Sequence, residues 1–218
     1  MSAASSITGQ RVVVSAGPTY EDIDPVRFIG NRSSGKMGFA IAAAAALRGA
    51  DVVLIAGPVS LATPVGVQRI DVRSAAQMHA AVLAALPAQV YVGAAAVADY
   101  TPASVAAGKI KKHAGPFTLE LVATADILAD VAAHALRPRL VVGFAAETDH
   151  VEAYARGKLD KKRLDMIAAN RVGLAGSGFE SDDNALTVYW PGGERALGPA
   201  PKTALAEQLL DLMSERLR

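Results

Sequence analysis

Cysteine is absent from all 218 residues, so neither disulfide staples nor thiolate metal sites enter the account. Aromatic residues are scarce, 5% against 51% hydrophobic overall, so the core has to be assembled from Ala, Val, Leu and Ile. Side chains of that size suit helices packed closely on buried strands. Charge of either sign is nearly cancelled, at +1 net, which leaves no global field to draw nucleic acid or an anionic membrane; basic chemistry has to be local. There is no basic-then-apolar leader and no apolar run of about 18 residues to span a bilayer. The expectation is a soluble cytoplasmic protein with a small-molecule partner, no nucleic acid and no membrane. His79, His113, His134 and His150 show no metal-ligand spacing, and no Gly-x-Ser-x-Gly elbow marks a serine hydrolase. The turn Ser15-Ala16-Gly17-Pro18-Thr19 lacks the Gly-x-Gly-x-x-Gly fingerprint, which counts against a nicotinamide or flavin dehydrogenase.

What is present is an alternation. Arg11 to Ser15, Asp51 to Ala56, Val67 to Val72, Val90 to Gly93 and Arg139 to Phe144 are short, nearly continuous apolar runs, the mark of parallel strands covered on both faces. Lys36 to Arg48, Ser74 to Leu86, Asp126 to Ala135 and Val151 to Arg163 have helical character; Gly49 stops the first, and Ser74 with Gln77 has capping-box spacing. The pattern predicts a three-layer αβα fold with a Rossmann-like, doubly wound, mostly parallel sheet. Ligands in such sheets sit beyond the carboxyl ends of the strands, so the loops after Ser15, Gly93 and Phe144 are the places to search. Pro102 to Pro116 is too long for an ordinary connection and reads as a flap, while two runs around Pro191-Gly192-Gly193 read as a late β-hairpin. Residues 1–10 are small and polar and are expected to form a disordered tail or linker outside the core; 11–218 form a single domain.

Several segments have the make-up of ligand sites. Gly30-Asn31-Arg32-Ser33-Ser34-Gly35-Lys36-Met37 nearly matches the phosphate loop of P-loop NTPases, but Met37 has no hydroxyl for magnesium and the first strand ends far upstream. What survives is a Gly- and Ser-rich helix start that offers N–H groups to an anion, or a start simply capped by Ser33 or Ser34. Gly93-Ala94-Ala95-Ala96-Val97-Ala98-Asp99 leaves a strand through small residues that let a flat ligand approach the backbone; close helix–sheet packing is the plainer reading. Lys109-Ile110-Lys111-Lys112 is either a solvated run or a grip on a polyanion, and Lys158 and Lys162, i and i+4, are either a wet face or a triphosphate clamp. Thr124 is a candidate cap for the helix that follows Ala125.

Taken together, five spaced motifs resemble one family, the bacterial phosphopantothenate-cysteine ligase, the ligase domain of the coenzyme A biosynthesis bifunctional protein. They are Asp24 to Gly38, Ala95 to Tyr100, Lys109 to Lys112, Gly143 to Thr148 and Phe179 to Asn184, in the family's order, with the likeness running from about Arg11 to the C-terminus. The resemblance implies that CTP, with Mg2+, activates 4'-phosphopantothenate as an acyl-cytidylate, releasing pyrophosphate, and that L-cysteine then displaces CMP. It implies that Asn31 holds and converts the acyl-cytidylate, that Arg27 reaches the substrate phosphate from the neighbouring subunit of a homodimer, and that Ala96 contacts substrate. Gly93, Ala94, Ala95, Asp99, Ala125, Asp126, Ile127, Leu128 and Phe144 fall where the family binds the nucleotide. Lys109 corresponds to the first lysine of the mobile flap, and Lys158 and Lys162 to further nucleotide contacts. An amide cannot take a proton at neutral pH, so Asn31 is expected to orient and hydrogen-bond. Two departures stand out: Ser15 to Thr19 is a variant of the family's Gly-Gly-Thr turn, and the flavin-dependent decarboxylase to which bacterial relatives are often fused does not precede the first strand. The rivals are a ligase that uses ATP and a nucleotide-binding regulatory domain without turnover.

Overall fold

The structure is a computed structural model that describes residues 7–171 and 183–217. In chain order its first half holds β1 (Arg11–Ala16), β2 (Tyr20–Asp22), β3 (Phe28–Gly30), α1 (Lys36–Leu47), β4 (Asp51–Ala56), β5 (Val67–Asp71), α2 (Ala75–Ala84) and β6 (Val90–Gly93). The second half holds β7 (Tyr100–Pro102), β8 (Leu121–Ala123), α3 (Ile127–Ala133), β9 (Leu140–Glu147), α4 (Val151–Lys161), β10 (Met166–Arg171), β11 (Asp183–Trp190), β12 (Gly193–Pro201) and α5 (Lys202–Arg216).

The main sheet runs β12-β11-β10-β9-β6-β1-β4-β5. From β10 to β5 every pairing is parallel; β11 and β12 are the late hairpin, antiparallel at one edge. The chain winds outward from β1 through β4 to β5, then returns to β6 on the other side of β1 and winds through β9 to β10. The direction therefore reverses between β1 and β6, and the crevice at that switch point is where an open α/β sheet receives ligands.

Strand side chains alternate between two cores. Val12, Val14, Val90, Val92 and Met166 join α1 and α5 on one face, while Val13, Tyr91, Val141 and Ile167 join α2, α3 and α4 on the other. The expected three layers are present, with parallel strands buried on both faces as their continuous apolar runs require. Two elements of the main layers, a strand and a helix, escaped the sequence reading. β10 is the short run Met166–Arg171, and α5 carries Leu205, Leu209, Leu212 and Met213 at helical spacing, all fully buried. Each such side chain stabilises the fold by roughly 1.5–3 kcal/mol.

The expected exclusion of residues 1–10 needs correcting from Ile7 onward; residues 1–6 lie outside the described residues. Ile7 is fully buried in the core of α1 and α5, and the Gly9 N–H donates to the Gly49 carbonyl at 2.8 Å. One isoleucine flanked by polar residues carries no periodicity, so only tertiary packing reveals it. Helix boundaries hold where local chemistry sets them: Ser74 and Gln77 form the complete capping box of α2, and Gly49 takes the left-handed conformation (φ 81°) that ends α1. Two helix starts differ from the expected ones. The N-cap of α1 is Gly35, left-handed at φ 75°, which has no side chain to cap with, while its own N–H donates to Ser33 Oγ at 3.4 Å. At α3 it is Asp126 that accepts the Ala129 N–H, while Thr124 Oγ1 donates to the Ala98 carbonyl.

Two small hairpins stand off the main sheet, β2–β3 and β7–β8. The first is pinned to the start of α2: buried Glu21 accepts the Ala75 N–H at 2.8 Å, and Arg73 pairs with Asp22 and lies over the stacked rings of Tyr20 and Phe28.

Candidate active site

The carboxyl ends of β1 and β6, paired at Ser15 and Gly93, form the floor of a cleft of about 460 Å³. One wall is the loop Ser33 to Gly38 that opens α1; the other is Thr124 to Leu128, Phe144 to Ala146, and Lys158 and Lys162 from the end of β9 and from α4. Close approach makes this floor. A Cβ on Gly38 would stand 2.5 Å from the Ala16 Cβ, and one on Gly143 would stand 2.8 Å from Leu128 Cδ2, so glycine is what lets α1 and α3 sit down on the strands. The loop Gly93 to Ala98 lies along Gly17 to Thr19, with Thr19 N–H to Ala96 O, Ala96 N–H to Gly17 O, and Ala98 N–H to Thr19 Oγ1 at 2.9 Å. The small residues of both segments thus extend the floor beyond the sheet.

Of the residues singled out by sequence, Gly93, Ala94, Ala95, Ala96, Asp99, Ala125, Asp126, Ile127, Leu128, Phe144, Lys158 and Lys162 all line this cleft. Arg27, Asn31 and Lys109 do not line it. Asn31 stands at its rim, where Nδ2 donates to the carbonyls of Ala96 and Val97, each at 3.1 Å. Arg27 is held by Asp24 and donates to the Ile110 carbonyl at 3.0 Å, so it touches the flap beside Lys109. Asp24, whose side chain is fully enclosed, also accepts the N–H groups of Val26, Arg27 and Ile110. Those bonds, with the Arg27 guanidinium foremost, hold its carboxyl far below the usual carboxylate range. The lysines of the flap, Lys109, Lys111 and Lys112, are exposed.

Four lysines, Lys36, Lys158, Lys162 and Lys202, line the cleft against two aspartates, Asp99 and Asp126, a balance suited to an anionic ligand. The i, i+4 pair has its own counter-ions: Lys158 Nζ is 2.7 Å from Glu147 Oε1, and Lys162 Nζ is 2.8 Å from Asp126 Oδ2. Burial raises the Asp126 carboxyl, but Lys162 and the Ala129 and Leu128 N–H groups outweigh it and leave the group below its ordinary value. On the same helix Glu152 pairs with Arg156, and Arg156 in turn with Glu194. Among the described residues no three His, Asp or Glu side chains gather as a metal cage, and no helix is long and apolar enough to cross a membrane.

The sequence reading passed over Ser15, Tyr91, Asn170 and Lys202 as cleft residues. Ser15 and Tyr91 look like ordinary strand residues, and Asn170 and Lys202 belong to the two unrecognised elements. Of the motif Phe179 to Asn184, residues 179–182 lie outside the described residues; Asn184 lines the cleft.

Comparison with known proteins accords with this geometry. The family described as the DNA/pantothenate metabolism flavoprotein C-terminal domain matches residues 7–217. Two coenzyme A biosynthesis bifunctional proteins CoaBC are close in sequence, that of Vibrio cholerae at 53% identity over 97% of this chain and 54% of its own length, and that of Escherichia coli at 52% over 92% and 50%. The chain thus spans about half the length of these relatives. The crystal structure of the C-terminal domain of a coenzyme A biosynthesis bifunctional protein CoaBC superposes with a TM-score of 0.82 at 38% identity, covering 98% of both chains. With the family matched from Ile7 to Leu217 and half of all positions shared with these relatives, the chain belongs to the DNA/pantothenate metabolism flavoprotein C-terminal domain family.

Proposed function

We propose that this chain is a phosphopantothenate-cysteine ligase of coenzyme A biosynthesis: CTP activates 4'-phosphopantothenate as an acyl-cytidylate with loss of pyrophosphate, and L-cysteine then gives 4'-phosphopantothenoylcysteine and CMP. The observation that carries this reading is convergence. Segments from Gly93 to Lys162 meet in one lysine-lined cleft at the switch point, and Asn31 is hydrogen-bonded to its floor.

In the first step a carboxylate oxygen bonds to the α-phosphorus and the bond to the β-phosphate oxygen breaks. Both reactants are anionic, so the barrier is set by charge, and Lys158 and Lys162 on one wall with Lys109 from the flap lower it by meeting the spread negative charge. The small residues Gly93, Ala94 and Ala95 admit the nucleoside to the floor, with Ala125 to Leu128 and Phe144 as its wall. Asn31, anchored on Ala96 and Val97, holds the acyl-cytidylate in line, which is the work of an oriented amide. In the second step the cysteine amine bonds to the acyl carbon, the bond to the CMP oxygen breaks and the amine loses a proton.

Mg2+ bound with the triphosphate would supply charge neutralisation there, and Asp99, exposed in the cleft, is the carboxylate that would hold it. A homodimer is part of this reading, supported by Val26, Phe28, Tyr100 and Val122, exposed apolar side chains on the two small hairpins, which would also carry Arg27 towards a partner's substrate. By the same reading the enzyme is cytoplasmic, and the half of the bifunctional relatives that it does not match is the flavin-dependent decarboxylase.

The test is pyrophosphate release with 4'-phosphopantothenate, Mg2+ and either CTP or ATP, with and without cysteine. Release that requires the acid and prefers CTP, followed by CMP and the cysteine adduct once cysteine is added, supports both half-reactions. Preference for ATP would move the chain to the other nucleotide. Tight nucleotide binding without any release would make it a regulatory domain.

A further inference from the structure

On the floor of the cleft the hydroxyl groups of Ser15 and Tyr91 meet at 3.0 Å across the paired strands β1 and β6. Each residue is 1% exposed, and each lines the cleft. Two hydroxyl groups carry two donatable hydrogens, and the bond between them uses one. Neither oxygen has another partner among the described residues, so one hydrogen is left with only the cleft to receive it. A buried donor without an acceptor is costly, which makes the leftover hydrogen a demand on whatever fills the cleft.

The surroundings say what kind of acceptor fits. The Tyr91 hydroxyl stands 3.5 Å from where a Cβ on Gly93 would lie, and Leu128 Cδ1 is 3.1 Å from that same point, so the pair sits in a narrow slot beside two residues assigned above to the nucleotide. Burial pushes the Tyr91 phenol up to about 12, more than its bond to Ser15 lowers it, and the Asp126 carboxylate adds to the rise. The phenol therefore remains a donor, and the field of Asp126 works against an anion at the same spot.

We infer that the Ser15 and Tyr91 pair is a specificity-determining donor, giving its free hydrogen to a neutral acceptor on the nucleoside half of the nucleotide, a base carbonyl or ring nitrogen or a ribose oxygen. The inference rests on the nucleotide reading of the cleft and adds to it the residues that recognise the nucleoside.

Calorimetric titration of the full chain with CMP, 2'-deoxy-CMP and pyrophosphate, each with Mg2+, tests it on the wild type and on the double variant Ser15→Ala, Tyr91→Phe. Removing both hydroxyls leaves no orphan group behind. The double variant is expected to lose CMP affinity by about five- to tenfold, the scale of one neutral hydrogen bond, with pyrophosphate affinity unchanged. If the loss disappears with 2'-deoxy-CMP, the acceptor is the ribose 2'-oxygen; if it persists, the acceptor is on the base or is another ribose oxygen. Equal CMP affinity in wild type and double variant overturns the inference, because the hydrogen then meets only water. An equal loss for CMP and pyrophosphate also overturns it, as general distortion of the cleft. Should the double variant not fold, the single variants decide: a CMP-selective loss in either one supports the pair, and none in both refutes it. A wild type that binds neither CMP nor CTP would instead defeat the nucleotide reading itself.

Discussion

The carboxylate of Asp24 accepts the backbone N–H of Ile110, 86 residues further along the chain, at 3.1 Å. Through the same side chain Asp24 holds Arg27, and Arg27 returns a bond to the Ile110 carbonyl, so the lysine flap is fastened at both the N–H and the carbonyl of one residue. Asp24→Asn removes the charge from this junction. Trypsin cleavage at Lys109 to Lys112 is expected to quicken about tenfold, the scale of losing one charge-assisted hydrogen bond, and the melting temperature at neutral pH is expected to fall. Unchanged cleavage would mean that the Ala106 N–H bond to Ile23 holds the flap instead. The same carboxyl has a pH signature. Its folded value lies below its unfolded one, so its contribution is fully present above about pH 4 and is lost as the pH falls through the folded value. Asp24→Asn should therefore lower stability most in the neutral region, converge with wild type in strong acid, and so flatten the acid limb of a stability-against-pH curve.

Asn31 donates to two carbonyl oxygens with one amide nitrogen. Asn31→Asp replaces that donor with a carboxylate facing the same two carbonyls and adds a negative charge beside an anionic intermediate. Turnover is expected to fall by at least about a hundredfold, with the nucleotide still bound and the reaction stalled after binding. Rapid-quench analysis of nucleotide and product checks it, and normal product formation would remove Asn31 from the chemistry.

Lys109 is exposed on the flap. Lys109→Gln keeps a polar side chain one atom shorter and deletes the charge, so turnover is expected to drop about tenfold with an unaltered melting temperature. A rate equal to wild type would return the lysine cluster to a solvated surface run.

Two glycines are expected to respond oppositely to the same change. In Gly38→Ala the new methyl meets Ala16 Cβ at 2.5 Å and Ala16 Cα at 3.2 Å, and neither atom can swing away. A loss of about 1–3 kcal/mol is expected, with α1 lifted from β1 and the Ser33 to Gly38 wall disturbed. Gly157, inside α4, has nothing within 4 Å of that position, so Gly157→Ala is expected to stabilise by about 0.5–1 kcal/mol through helix propensity alone. Chemical denaturation of both variants checks the pair of signs.

Much of this protein is decided by local sequence. The apolar runs of β1, β4, β6 and β9 specify buried parallel strands, because a strand covered on both faces needs no polar alternation. Ser74 and Gln77 set the start of α2, and Gly49 the end of α1, by bonds and backbone angles that span only a few residues. The cleft is legible because the carboxyl ends of strands at a switch point are where ligands gather, and Gly93 to Asp99 leaves such a strand. Tertiary structure alone decides the rest. Ile7 is a core residue only because α5, some 200 residues later, packs beside it; Lys158 and Lys162 find Glu147 and Asp126, not the charges nearest in sequence; Ser15 and Tyr91 become a hydroxyl pair only when β1 and β6 lie side by side. Periodicity and capping act over one or two turns of chain, whereas a buried partner is chosen by the fold that brings distant segments to within a few ångströms.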